Sequence, residues 1–184
     1  PHHSSAASDV YKRQHSLRTG EGQIVDSTMV DGALSLMSFF YSLKEMGHWD
    51  DQRESNLLDG HAHFYDTYMC ADNKYIAIGS IEPQFYKELL DKLEIDDQRF
   101  LDQYNKDLWP ELKNLIASKV ILKTRSEWED IFSGTDACVT PVLNMSEAQQ
   151  NIHNLKRNAF TDVDGFNQPS ASPRYSVTKP EIKH

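Results

Sequence analysis

The chain is short of cysteine, of basic residues and of long apolar runs, and each shortage excludes a class of protein. Its two cysteines, Cys70 and Cys138, cannot build a disulfide framework, and their spacing matches no CxxC metal or redox motif. A reducing compartment is therefore the default expectation. Lysine and arginine number 19 against 28 aspartates and glutamates, a net charge of −9. Such a surface repels a phosphate backbone, so no nucleic-acid partner is expected. The densest basic group is only Lys119, Lys123 and Arg125. The most apolar run, Ala33 to Leu43, is broken by Ser35, Ser38 and Ser42 and is too short for a bilayer, so no membrane partner is expected. The opening residues show no secretory pattern, and the expected location is cytoplasmic.

What is present fits a folded protein. Hydrophobic residues make up 39% of 184, enough for one domain or a small domain with long arms. Residues 1–14 carry no period and read as a non-native or assembly scar. Asp26 to Met46 reads as one helix, capped by Asp26 or Ser27 and stopped at Gly47. Its apolar positions cover more than one face, which implies burial on several sides, as in a linker helix wedged between domains or subunits, and exposed apolar surface along Asp26 to Met46 where a large domain is missing. Phe64 to Met69 and Lys74 to Ile78 read as strands of a hairpin, with Ala71-Asp72-Asn73-Lys74 as the turn. Pro83 to Leu93 and Asp107 to Leu122 show helical spacing. Thr124 and Glu127 form a capping box ahead of a short helix, with Gly134 as its stop. Ala137 to Val142 reads as an edge strand because of Pro141. Asn144 or Ser146 caps another short helix, and from Asn158 onward the chain reads as an extended, turn-rich tail. The fold class is α+β.

Two strings carry the chemistry. One is Leu58-Asp59-Gly60-His61-Ala62-His63-Phe64-Tyr65-Asp66-Thr67-Tyr68. The other is Gly79-Ser80-Ile81-Glu82-Pro83-Gln84-Phe85-Tyr86, which sets Glu82 just ahead of a proline suited to the first helical position. A carboxylate there is anchored and oriented. It either serves only as a cap or holds a catalytic base in position. His61 and His63 form His-x-His, which on a strand points both rings to one face. No third or fourth ligand is identifiable, so no metal is expected. Cys70 and Cys138 read as small buried hydrophobes rather than nucleophiles.

Together with Gly22-Gln23-Ile24-Val25-Asp26, Met29-Val30-Asp31-Gly32 and Phe132-Ser133-Gly134-Thr135-Asp136-Ala137-Cys138-Val139-Thr140-Pro141-Val142, these strings resemble the family III coenzyme A-transferase superfamily, in its α-methylacyl-CoA racemase branch. The resemblance implies a large nucleotide-fold-like domain, a small domain and two interlocked subunits. On that pattern, residues 15–65 are the end of the large domain and a linker helix, 66–149 the small domain, and 150–184 a return linker and tail. The large domain would be mostly absent from these residues.

The resemblance further implies a racemase that interconverts (R)- and (S)-2-methylacyl-CoA thioesters by 1,1-proton transfer, in fatty-acid metabolism. The coenzyme A thioester is the substrate, and no separate cofactor is expected. In the family the acid/base pair, a His and an Asp, lies upstream of the Gly-Gln-Val-Val-Asp string. No counterpart is found here, so the chain alone is expected to be inactive. Glu82 matches the family's Glu that supports that His. Asp59, Tyr65 and Asp66 match positions near the acyl pocket or subunit contact, or else fix the linker and hairpin. His61 departs from the family's usual glycine. The expected partners are an acyl-CoA and a second copy in an interlocked homodimer. A coenzyme A-transferase of the same superfamily and a non-catalytic dimerising chain remain alternatives.

Overall fold

The computed structural model describes residues 13–178 and 180. The segment set aside at residues 1–14 lies outside them except for Arg13 and Gln14, which open a helical stretch over 13–19. The chain divides into two compact units, Pro1–Ala62 and His63–His184.

In the first unit the expected single helix is two, α1 (Met29–Leu36) and α2 (Ser38–Glu45). The break is at Met37, which stays right-handed at φ −80° and ψ −2° but at the edge of the helical region. Serines explain it. Ser38 Oγ donates to the Ser35 carbonyl at 2.7 Å and Ser42 Oγ to the Ser38 carbonyl at 3.0 Å. Hydroxyls that bond back onto the preceding turn bend a helix. The cap is Thr28, not Asp26 or Ser27, and its hydroxyl accepts the Asp31 N–H at 3.2 Å. The stop at Gly47 is as expected. Gly47 takes φ +73°, its N–H bonds the Lys44 carbonyl, and the His48 N–H bonds the Leu43 carbonyl. Neither helix buries a residue, which agrees with the exposed apolar surface expected along Asp26 to Met46 in the absence of the large domain.

The second unit holds the core. A three-stranded antiparallel sheet runs β1 (Tyr65–Met69), β2 (Tyr75–Gly79), β3 (Val139–Pro141), with β2 in the centre. The pairing sets Tyr68 against Ile76, Asp66 against Ile78 and Ile76 against Pro141. Alternation therefore sends Asp66, Tyr68, Ile76, Ile78 and Val139 to one face and Tyr65, Thr67, Ala77 and Thr140 to the other. Asn73, at φ +59°, turns the hairpin where the sequence placed its turn. Pro141 sits on an edge strand, where its missing N–H costs no ladder bond.

Helices cover the first face. They are α3 (Pro83–Leu93), α4 (Trp109–Val120) and α5 (Arg125–Phe132). α4 buries Trp109, Leu112, Ile116 and Val120 on one stripe. Thr124 and Glu127 close the expected capping box on α5. Asn144, rather than Ser146, caps α6 (Met145–Gln150), with Glu147 completing a second capping box. Asn151 caps a further short helix, α7 (Ile152–Lys156). The expected tail is instead partly a hairpin, β4 (Phe160–Val163) and β5 (Phe166–Pro169). Its two-residue turn, Asp164-Gly165, has positive φ at both positions, the conformation that fits the strands' twist.

Candidate functional site

Glu82 is the N-cap of α3, with extended backbone at φ −74° and ψ 143°. Pro83 follows at the first helical position, as the sequence predicted. The carboxylate, however, makes no capping hydrogen bond. Among the described residues it takes part in no hydrogen bond and no ion pair, and it stands exposed on the surface of its unit. The purely capping alternative is therefore not what the geometry shows: the backbone of Glu82 caps the helix and its side chain is left over.

The segment that carries Glu82 is fixed far more firmly than its exposure suggests. It leaves the sheet at Gly79 and enters α3 at Pro83, so apart from the Glu82 carbonyl, which accepts the Tyr86 N–H, its polar groups need partners outside ladder and helix. Gly79 N–H donates to the Cys138 carbonyl at 2.9 Å, and Ser80 N–H donates to the Phe64 carbonyl at 3.0 Å. Buried Ser80 Oγ donates to the Ala137 carbonyl. Gln103 Nε2 donates to the Ser80 carbonyl at 3.1 Å and the Ile81 carbonyl at 3.0 Å, and Tyr104 Oη donates to the Ile81 carbonyl at 2.8 Å. Trp109 Nε1 in turn holds the Gln103 carbonyl at 2.7 Å. No sequence motif marks Gln103 or Tyr104, and Ser80, although inside the Gly79–Tyr86 string, is not singled out by it. They are found only once the loop ahead of α4 is seen to fold back on the Glu82 segment.

Beneath this seam lies an aromatic cluster. Phe64 meets Tyr86, Tyr104 and Trp109 edge-to-face at 5.6–5.8 Å. Such pairs each contribute about 0.5–1.5 kcal/mol beyond the area they bury. His63 belongs to the same cluster. It is fully buried against Phe64 and Phe100, and its Nε2 lies 2.6 Å from Tyr86 Oη. Its Nδ1 has no hydrogen-bond partner among the described residues. Burial pushes the imidazole down to about 4, so it is neutral at physiological pH. Its neighbours are rings, and no cluster of three or more metal-ligating side chains occurs among the described residues.

The other site candidates are placed as follows. Tyr65 is half-buried on the open face of the sheet, opposite Gly79, and its ring lies near that glycine. Asp66, next in sequence, points to the opposite face and pairs with Lys113 of α4. Strand alternation thus separates these two neighbours. Asp59 belongs to the first unit. Its carboxylate accepts the backbone N–H groups of Ser55 at 3.1 Å and Asn56 at 2.9 Å and the Asn56 side-chain amide at 2.8 Å. Partial burial opposes its charge, but these hydrogen bonds outweigh it and hold the carboxyl below its usual range. Asp59 ties the 50–59 loop together.

Cys70 is buried, as expected, but Cys138 is exposed. Cys138 takes φ +54° in the turn into β3, and its carbonyl is spent on Gly79. Its thiol is raised, first by desolvation and then by the charges of Glu82 and Asp136, the reverse of what a nucleophile needs.

Comparison with known proteins adds the following. Residues 5–184 match the model for CoA-transferase family III. The chain is 46% identical over 162 residues to the alpha-methylacyl-CoA racemase of Mus musculus, covering 88% of this chain and 42% of that protein. It is 42% identical over 157 residues to the alpha-methylacyl-CoA racemase of Homo sapiens, covering 85% and 40%. A CaiB/baiF CoA-transferase family protein of Caenorhabditis elegans is 31% identical over 172 residues, covering 91% and 47%. A crystal structure of Rv3272 from Mycobacterium tuberculosis matches with a TM-score of 0.73 at 18% identity, over 96% of this chain and 46% of that one, which shows a shared fold. The chain thus spans less than half the length of these relatives.

Proposed function

The chain belongs to CoA-transferase family III, and from that premise we propose that it is the small-domain portion of a racemase acting on 2-methylacyl-CoA thioesters. The observation that carries this reading is the identity of 42–46% to proteins named as that racemase, joined to an uncommitted carboxylate on a pinned segment at the matching position. The reaction removes the proton from the carbon beside the thioester and returns one to the opposite face. Two groups, one per face, suit it, each titrating near the working pH. The resemblance assigns these to a His and an Asp of the large domain. Glu82 then accepts a hydrogen bond from the imidazole, orients it and stabilises its charged form. Tyr65 faces away from the helices and suits a contact with the acyl group or second subunit. Asp59 and Asp66, whose carboxylates are committed inside their units, act through the loop and strand they hold. An interlocked homodimer belongs to the same reading, as does a place in the cytoplasm and in fatty-acid metabolism.

The test is deuterium exchange at the α-carbon of (R)- and (S)-2-methylacyl-CoA in D2O. The full-length enzyme interconverts the two and washes deuterium into both. The 184 residues alone do neither, since the proton-transferring pair lies in the part of the family fold they do not span. Exchange catalysed by the 184 residues would refute that division of labour. Transfer of coenzyme A to a carboxylate acceptor, without racemisation, would replace the racemase by a transferase.

A further inference from the structure

We propose that Gln103 is a positioning residue for Glu82. This rests on the reading of Glu82 given above. Gln103 is almost fully buried, at 7% exposure. Its side-chain amide has two N–H donors, and there are two successive carbonyls for them, Ser80 at 3.1 Å and Ile81 at 3.0 Å. These carbonyls immediately precede Glu82. On the far side, the Glu82 carbonyl accepts the Tyr86 N–H at 2.9 Å, which begins α3. The backbone of Glu82 is therefore gripped from both directions, by the helix ahead and by one glutamine behind. Tyr104 adds a third bond to the same Ile81 carbonyl at 2.8 Å. The grip is itself anchored, because the indole N–H of buried Trp109 holds the Gln103 carbonyl at 2.7 Å. An exposed side chain whose carboxylate makes no hydrogen bond or ion pair among the described residues gets its direction from its backbone. Here the backbone is set by residues 103 and 104.

The experiment is a double-mutant cycle in the full-length enzyme, read by kcat, KM and the pH profile. Gln103→Leu is expected to lower kcat about tenfold with KM within about twofold, since displacing a catalytic partner by a fraction of an ångström costs this much. It also moves the acidic limb of kcat/KM to lower pH, in the same direction as Glu82→Gln, because the imidazole loses the carboxylate that favours its charged form. In the Glu82→Gln background, Gln103→Leu has no further effect on kcat. Tyr104→Phe removes one exposed hydroxyl and spares the core. It shows the same non-additive pattern with a loss of about two- to threefold, and it decides the matter if Gln103→Leu does not fold. Additive losses, or an unmoved acidic limb, would reduce Gln103 to a structural prop and overturn the proposal. An impaired Glu82→Gln beside an unimpaired Gln103→Leu would overturn it while leaving the reading of Glu82 intact. An unimpaired Glu82→Gln would remove that reading and the proposal with it.

Discussion

Helices α2 and α4 are both rich in apolar residues, yet one buries none of them and the other buries a full stripe. In α4, Leu112 and Ile116 are wholly inaccessible, while in the first unit Leu36 is 77% exposed, Phe39 58% and Met29 83%. Periodicity marks which residues seek cover. It does not say whether the cover is in the same chain. The second unit is complete in itself, with a sheet, its helices and an aromatic cluster that together hold the Glu82 segment. The first unit ties its loop with Asp59 and Asn56, half-buries Phe40 against Trp49, and leaves Met29, Leu36 and Phe39 exposed.

The largest expected effects test that contrast directly. Leu112→Ala should destabilise the chain by about 2–5 kcal/mol, the usual cost of a cavity in a closed core. Leu36→Ala should change stability by no more than about 0.5 kcal/mol, as at an open surface. Urea unfolding of both variants is the measurement, and equal costs would erase the distinction between the two regions.

Next in size is the response to acid, which should come from the second unit. His63 titrates at about 4 when folded and near 6.5 when unfolded, so between those values the unfolded chain binds the extra proton. Stability is then full above pH 6.5 and is lost as pH falls toward 4, by up to about 3 kcal/mol at about 1.4 kcal/mol per unit. His63→Gln should flatten that slope in urea midpoints taken from pH 7 to pH 4. A slope unchanged in the variant would mean that the ring is not held neutral.

Glu147 acts lower on the same scale. Arg125 is bound to it by a two-pronged pair at 2.7 and 2.9 Å, and Lys74 adds a bond at 2.9 Å. Bonding to Arg125 first, and to Lys74 next, holds the Glu147 carboxyl well below its ordinary value. Its folded value is depressed, so its contribution is present above the unfolded value near 4.5 and disappears as pH falls further. Glu147→Gln should lower the midpoint most at pH 7 and by less, though still measurably, at pH 3, where the folded carboxyl keeps its charge and the unfolded one has lost it. An equal loss at both would assign the effect to packing instead.

The smallest effect lies at the second hairpin. Gly165 has φ +83° and open space around it, so Gly165→Ala carries only the backbone penalty, about 1 kcal/mol. A cost near zero would mean that the hairpin contributes little to the unit's fold.

Much of this was legible because local rules govern it. The β1–β2 hairpin, the proline that opens α3, the capping box at Thr124 and the edge position of Pro141 each depend on residues a few places apart. The Asp164-Gly165 hairpin was equally local and was obscured by the prolines around it, although Pro169 does no more than end β5. The break at Met37 is also local, but hydroxyls that bend a helix leave its apolar period intact. What could not be read were contacts across the chain. Gln103 reaches Ser80 over 22 intervening residues, and nothing in its neighbours announces it. Burial depends on the same kind of contact. The apolar residues of α1 and α2 announce that they seek cover but not where it lies, and Cys138 looks like a small buried side chain until its positive φ is seen. Glu82 was legible as a position through its string. That its carboxylate is uncommitted was not.

On the proposed reading, this carboxylate steadies and charges a histidine of the large domain. The direct measurement is the pH dependence of α-proton exchange by the full-length enzyme and its Glu82→Gln variant. The expected kcat is lower by about ten- to a hundredfold, with the acidic limb of kcat/KM moved to lower pH for the enantiomer whose proton the imidazole removes, and the folded stability unchanged. Equal rates and the same acidic limb in both proteins would contradict it.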